Sequence, residues 1–249
     1  MSLLKKLKTN VQGAVDEKDV IAGGVIESGL YPAKITMAYL KTSDTGAVGL
    51  TTHYKTESGQ VIRDTNYITS GTAKGCSNTY KDKDGKEQYL PGYNSANSLS
   101  RLITGKDIGD LDSEEKLVNV YNFDAKAEVP TKVEVLMELL NKDVLLGIFK
   151  QETEKTVKNE KGEYVGTGEF RTENVIDKFF DHDSRMTSSE MKAKAEKAVF
   201  VETWSDKWIG KTNVQKAKKS GSNGTAGAPQ SSGSTSTKPK ESLFSKGDE

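Results

Sequence analysis

Residue types able to do covalent or metal chemistry are scarce in this chain. It has 2 histidines, His53 and His182, and 1 cysteine, Cys76. A nucleophilic site needs a nucleophile, a base and a group that orients the base, and no spacing here assembles one. Asp181-His182-Asp183 sets three metal-ligand types in a row. A metal centre completes its ligand set from further residues, and no second histidine cluster answers this one. A solvated loop is expected there, with a metal-dependent nuclease as the enzymatic alternative. Gly210-Lys211-Thr212 matches the end of the phosphate loop G-x-x-x-x-G-K-T, but Ser205 stands where the first glycine is required. Asp82-Lys83-Asp84-Gly85 starts like a calcium loop and lacks its third ligand before the glycine, so a hairpin turn is expected. No cofactor motif is present, and catalysis is not expected.

Basic and aromatic side chains make the stronger pattern. A single nucleic-acid strand is held by cations that neutralise phosphates and release counterions, and by aromatic faces on which bases stack at about 1–3 kcal/mol each. Lys34, Thr36, His53, Lys55, Arg63 and Tyr67 fall on one side of three predicted strands. The stretch that follows adds Lys74, Tyr80, Lys81, Tyr89, Tyr93 and Arg101. Trp204, Lys207, Trp208 and Lys211 form a late run that either stacks bases at a groove edge or staples the last segment onto the core.

The scaffold under these residues reads as mainly β. Tyr31, Ala33, Ile35, Met37 and Tyr39 alternate with polar neighbours, which predicts a strand with one buried face. Ser43–Gly46 turns into a second strand, in which Val48, Leu50 and Tyr54 oppose Gly49, Thr51, His53 and Lys55. Glu57–Gln60 turns into a third over residues 61–69, completing a meander. Residues 71–92 have no apolar period and read as an excursion, with a small hairpin turning at Asp84-Gly85. A helix is expected over 95–104, an acidic loop over 107–115, and a second helix or irregular piece around 117–121. Strands return after Pro130 over 132–139 and 144–153, and a long hairpin tip spans 155–168. A final strand over 169–180 carries Phe170, Val175, Ile176, Phe179 and Phe180, enough to seal a barrel. Thr187-Ser188-Ser189-Glu190 is a capping box that opens a helix through Ala198.

Composition bounds the rest. The 249 residues carry 36 Lys plus Arg and 36 Asp plus Glu, a net charge of 0. From residue 216 onward six lysines face three acids, so that segment carries +3 and residues 1–215 carry −3. Any nucleic-acid footprint is therefore a local patch on a mildly acidic body. One cysteine excludes an intrachain disulfide and points to a reducing, cytoplasmic setting. No run approaches the roughly 20 apolar residues of a membrane span, and the first residues lack the apolar core and cleavage site of a signal peptide. Leu3, Leu4, Leu7, Val11 and Val15 outline an amphipathic arm within residues 1–24. The Ser-, Gly- and Thr-rich residues 220–237 cannot bury enough apolar surface to order themselves. They form a disordered tail over 216–249 that ends in a docking peptide around Leu243 and Phe244. The central unit spans 25–215, with an insertion at 71–129.

The run Gly29-Leu-Tyr-Pro-Ala-Lys-Ile-Thr-Met-Ala-Tyr-Leu-Lys-Thr-Ser43, the segment 46–56 with its Gly59 turn, and the late Trp204-x-x-x-Trp208-x-Gly210-Lys211 resemble phage-encoded single-stranded DNA-binding proteins of the OB-fold type. The resemblance covers residues 25–70 and 130–212. It implies a five-stranded Greek-key barrel binding DNA across its curved sheet and loops. It also implies sequence-independent binding during phage replication or recombination, with a tail that recruits replication or recombination proteins. Tails of that family are commonly acidic, whereas this one is basic and carries Phe244 five residues from the end. The expectation is a non-enzymatic single-stranded DNA-binding protein that needs no cofactor. Two alternatives are a phage tail or capsid component and an RNA-binding protein on the same barrel.

Overall fold

The computed structural model describes residues 24–122, 125–160 and 162–217. Residues 1–23 of the expected arm and 218–249 of the expected tail, Leu243 and Phe244 included, lie outside the described residues. The fold is mainly β. Strands β1 (Gly29–Thr42), β2 (Val48–Thr56) and β3 (Val61–Tyr67) form the expected antiparallel meander. Gly46 turns the first hairpin with φ 79°, a left-handed value that favours glycine.

One feature of β1 departs from simple alternation. The register with β2 shifts between Ile35 and Met37, so Thr36 is a bulge residue. Ile35 and Ala38 both enter the main core, while Met37 and Tyr39 turn to the other face and pack with Val120, Val133 and Val135. The expected grouping of Met37 and Tyr39 with Ile35 is thereby corrected, because an extra residue in one strand inverts every side chain beyond it.

The excursion contains the hairpin of β4 (Thr79–Lys81) and β5 (Glu87–Tyr89), turning at Asp84-Gly85. Asp82 Oδ1 accepts from the amides of Asp84 and Lys86 at 3.0 and 2.9 Å, so its carboxylate serves the turn. Helix α1 (Pro91–Thr104) begins earlier than expected, with proline in its first turn, and buries Ala96, Leu99 and Leu102.

The expected helix near 117–121 is instead strand β6 (Glu114–Asn122), paired with β7 (Ala127–Val135). Val118 and Val120 join a core while Leu117 is 70% exposed, a period of two. The expected strand over 132–139 ends at Val135, and Met137–Leu139 is a short 3-10 turn. Strands β8 (Asp143–Lys158) and β9 (Tyr164–Phe180) form one long hairpin. The capping box at Thr187 forms as expected, but helix α2 (Ser188–Lys192) stops well before Ala198. Helix α3 (Phe200–Trp208) and strand β10 (Thr212–Gln215) follow, the latter parallel to β8.

The main sheet has eight strands along the order β10-β8-β1-β2-β3, with β9 on β8 and the β6–β7 ribbon on β1. A closed five-stranded barrel is not what the described residues form: β3 pairs only with β2, β9 pairs only with β8, and the sheet stays open between them. Helix α1 contacts both of those edge strands and adds Leu99 and Leu102 to the core they flank. Ile35, Leu50, Tyr54, Val144, Leu146 and Ile148 supply the centre of that core. Among the described residues no helix is long and apolar enough to cross a membrane.

Candidate nucleic-acid interface

The sheet face opposite the main core carries the residues that the basic and aromatic pattern singled out. Pairing registers align them in rows across three strands: Lys34, Lys55 and Val61; Met37, His53 and Arg63; Tyr39, Thr51 and Thr65; Lys41, Gly49 and Tyr67. Five predicted site residues, Lys34, His53, Lys55, Arg63 and Tyr67, therefore share one surface. Thr36 joins it through a 3.1 Å hydrogen bond from its hydroxyl to the His53 carbonyl.

Their freedom differs. Lys34 Nζ is 2.7 Å from Asp143 and Arg63 Nη2 is 3.0 Å from Glu128. Lys55 is exposed and takes part in none of the ion pairs among the described residues. Tyr67 is 51% exposed, and its ring covers Gly49: a Cβ there would sit 3.3 Å from Tyr67 Cδ1. A glycine in mid-strand thus makes room for an aromatic plate on the neighbouring strand. His53 meets Tyr39 edge to face, with ring centroids 6.0 Å apart. Burial, and then the Arg63 charge, push its imidazole below the ordinary histidine value, while Glu128 opposes them.

Beyond Lys34 and Lys55 the face deepens into a cleft of about 450 Å³ that also reaches Asp143 and His182. His182 Nδ1 lies 2.7 Å from Asp183, whose hydrogen bond raises the imidazole pKa. Asp181 instead accepts from the amide and hydroxyl of Ser184. The three side chains do not converge on one point, and no group of three or more metal-ligand side chains occurs among the described residues.

A second cluster sits at the Tyr67 end of β3. Gly92 of α1 rests against the Tyr67 backbone so closely that a Cβ would meet its carbonyl oxygen at 2.3 Å. This seats the tyrosine stack of Tyr89 and Tyr93, with centroids 4.8 Å apart and planes 22° from parallel. Tyr89 is 53% exposed. Burial, then the neighbouring Tyr89 and Asp107, raise the Tyr93 hydroxyl. Arg101 is bound through Nε to Asp107, so it anchors that corner and is not a free cation. Tyr80 is half-buried on β4, and Lys74 and Lys81 are exposed nearby in sequence.

The late tryptophans separate into two roles. Trp204 is 2% exposed, packs edge-on to Phe180 at 6.2 Å, and donates from Nε1 to Asp177 at 2.7 Å. It is a core residue with a satisfied polar end and has no face to offer a base, which resolves the expected alternatives in favour of stapling. Gly147 permits this packing, since a Cβ there would lie 3.0 Å from both the Trp204 and Phe180 rings. Trp208 stacks on Phe149 at 4.6 Å, and Lys207 Nζ stands 4.7 Å above the indole. Lys211 is exposed, with Nζ bound to the Asp206 carbonyl.

Sequence reasoning missed the surroundings of Trp208. Gln151 of β8, Arg171 and Lys178 of β9, and Asn213 and Gln215 of β10 line a groove of about 710 Å³ beside α3. Only the parallel pairing of β10 with β8 brings those amides together, and no local pattern announces it. No protein-family model matches this chain, and no curated protein matches it.

Proposed function

We propose that this chain is a non-enzymatic protein that binds single-stranded DNA without sequence preference, as in phage replication or recombination. The observation that carries the reading is the single sheet face on which Lys55, Arg63, His53 and Tyr67 stand in register across adjacent strands. Strand spacing of about 4.8 Å and a rise of about 3.4 Å per residue set the separation of these side chains on the part of the face that the β6–β7 ribbon, packed over Met37 and Tyr39, leaves uncovered. Phosphates and unpaired bases need such a mixture, whereas a duplex hides its base faces.

The strand order supports an OB-type scaffold. Reading β3-β2-β1-β8-β9 along the sheet gives the order of a five-stranded Greek-key barrel opened at one seam, with α1 filling the gap between β3 and β9. In that fold the outer face of the central strands and the flanking loops carry the nucleic acid. Here the uncovered part of that face, at Lys55, Arg63 and Tyr67, is basic and aromatic, while the β6–β7 ribbon covers Tyr39 and α3 covers Leu145.

Titration of the full chain with labelled oligo-dT and with duplex of equal length tests the proposal. Tight, salt-dependent binding to oligo-dT with weak duplex binding is expected. Equal or absent binding to both sinks the reading. Changing Lys55, Arg63 and Tyr67 together to Ala should abolish most of the affinity, and an unaltered isotherm would move the site elsewhere. Preference for a matched RNA oligomer would reassign the substrate, because no side chain on this face is dedicated to a 2′-hydroxyl. The segment around Leu243 and Phe244 is assigned to docking of a partner protein, so removing residues 241–249 should spare strand binding.

A further inference from the structure

We infer that the groove between α3 and the β8–β10 end of the sheet is a second contact segment for the same single strand, one that captures a base against Trp208 and a phosphate at Arg171 and Lys178. This rests on the single-strand reading above.

The two clefts belong to one surface. Along β8, Asp143 lines the first cleft, Leu145 lies beneath α3 with Val201 and Trp204, and Phe149 and Gln151 line the second. These are alternate residues of a strand and so share a face. Helix α3 crosses that face between them, and a strand leaving Lys34 and Lys55 meets the second groove on its far side.

The groove has the chemistry for a nucleotide. Arg171, Lys178 and Lys207 supply three cations; Arg171 Nη2 stands 3.4 Å from Glu173 in an exposed pair that a phosphate can replace, and the Asp177 carboxylate is already occupied by the Trp204 indole. The floor is an amide ladder: Asn213 Nδ2 donates to Gln151 Oε1 at 3.0 Å, and Gln215 Nε2 donates to Asn213 Oδ1 at 3.1 Å. Side-chain amides present both donors and acceptors, which suits bases of any identity. Trp208 is half-buried, stacked on Phe149 and with the Lys207 ammonium 4.7 Å from its ring. Base stacking on an indole outweighs one exposed cation–π contact, so a base displaces Lys207, which is then free to meet a phosphate.

Two readouts on the full chain test this. Anisotropy of labelled oligo-dT reports binding as a whole, while tryptophan emission reports the groove, because Trp204 is enclosed and Trp208 is not. Oligo-dT should quench the emission, and Trp208→Phe should remove the quench while anisotropy still registers a complex. Arg171→Ala with Lys178→Ala, both at exposed positions, should lower affinity roughly tenfold and reduce the salt slope by about 2. Binding by anisotropy with unchanged emission, and a double variant within about twofold of the parent, overturns the groove and leaves the sheet-face reading intact. Absence of any anisotropy change overturns both.

Discussion

Arg63 on β3 and Glu128 on β7 meet at 3.0 Å although their strands are not neighbours in the sheet. Strand β7 pairs with β1 only at Tyr39 and Leu40, then leaves the sheet plane. Its other end curls across the sheet face far enough for Glu128 to reach β3. Both partners are about half exposed (51% and 49%), and such a pair contributes about 0–1 kcal/mol. Burial of Val133 and Val135 against Tyr39 holds the ribbon, and the ion pair joins the far end of β7 to β3. Glu128 thus occupies the guanidinium that the proposed interface needs.

Glu128→Gln should therefore free Arg63 and tighten oligo-dT binding by about twofold to fivefold, with the salt slope steeper by about 1. Arg63→Ala should do the reverse. Anisotropy at several salt concentrations checks both, and equal slopes for the parent and both variants would show that Arg63 does not meet phosphate.

His53 gives a pH dependence of known sign. Its folded pKa lies below the ordinary 6.5 because burial and Arg63 disfavour the imidazolium. The unfolded chain then binds the proton more readily, so this residue's contribution to stability is complete above pH 6.5 and is lost as pH falls toward the folded pKa. His182 is shifted upward and works the other way, its contribution being present below 6.5 and lost as pH rises through its folded pKa. The difference in urea midpoint between the parent and His53→Gln isolates the first effect. That difference should shrink between pH 7.5 and 5.5, and a constant difference would contradict the shift.

Glu190 is the joint between the last two helices. Its carboxylate accepts from the amides of Thr187, Val199 and Phe200 and from the Thr187 hydroxyl. Burial opposes its ionisation, but these four donors pull its pKa down to about 2. Glu190→Ala should cost about 1–2 kcal/mol, the usual scale of a lost cap. The contribution is present above pH 4.5 and disappears as pH falls toward 2, so parent and variant should converge in acid denaturation.

Gly147→Ala should destabilise by about 1–3 kcal/mol, because the added methyl meets two rings at 3.0 Å in a filled core. Trp204→Ala should cost about 3–5 kcal/mol, whereas Trp208→Phe at the groove edge should cost far less. Thermal denaturation ranks the three, and a Trp204→Ala variant as stable as the parent would contradict its place in the core.

Much of the scaffold was legible in short-range pattern. The meander, the Asp84-Gly85 hairpin, the β8–β9 hairpin and the Thr187 capping box follow from period-two alternation, turn residues and local side-chain hydrogen bonds. The placement of His53, Lys55, Arg63 and Tyr67 on one face followed from the same alternation, which holds without interruption in β2 and β3. Three features were not legible. The bulge at Thr36 inserts a residue without altering composition, and it moved Met37 and Tyr39 to the opposite face. Strand β6 is so charged that Val118 and Val120 alone marked its buried side. Trp204 and Trp208 have the same spacing that any helix gives, and only packing decided that one is enclosed.

By itself the sequence determined which residues lie on the two sides of each short strand, because that depends on neighbours one or two positions away. Tertiary structure decided everything that depends on distant partners. The seam stays open between β3 and β9, Glu128 reaches across to Arg63, and β10 runs parallel to β8 and builds the amide ladder of the groove. Each of these joins residues about 60 or more positions apart, and such contacts are chosen by the packing of the whole core, not by local preference.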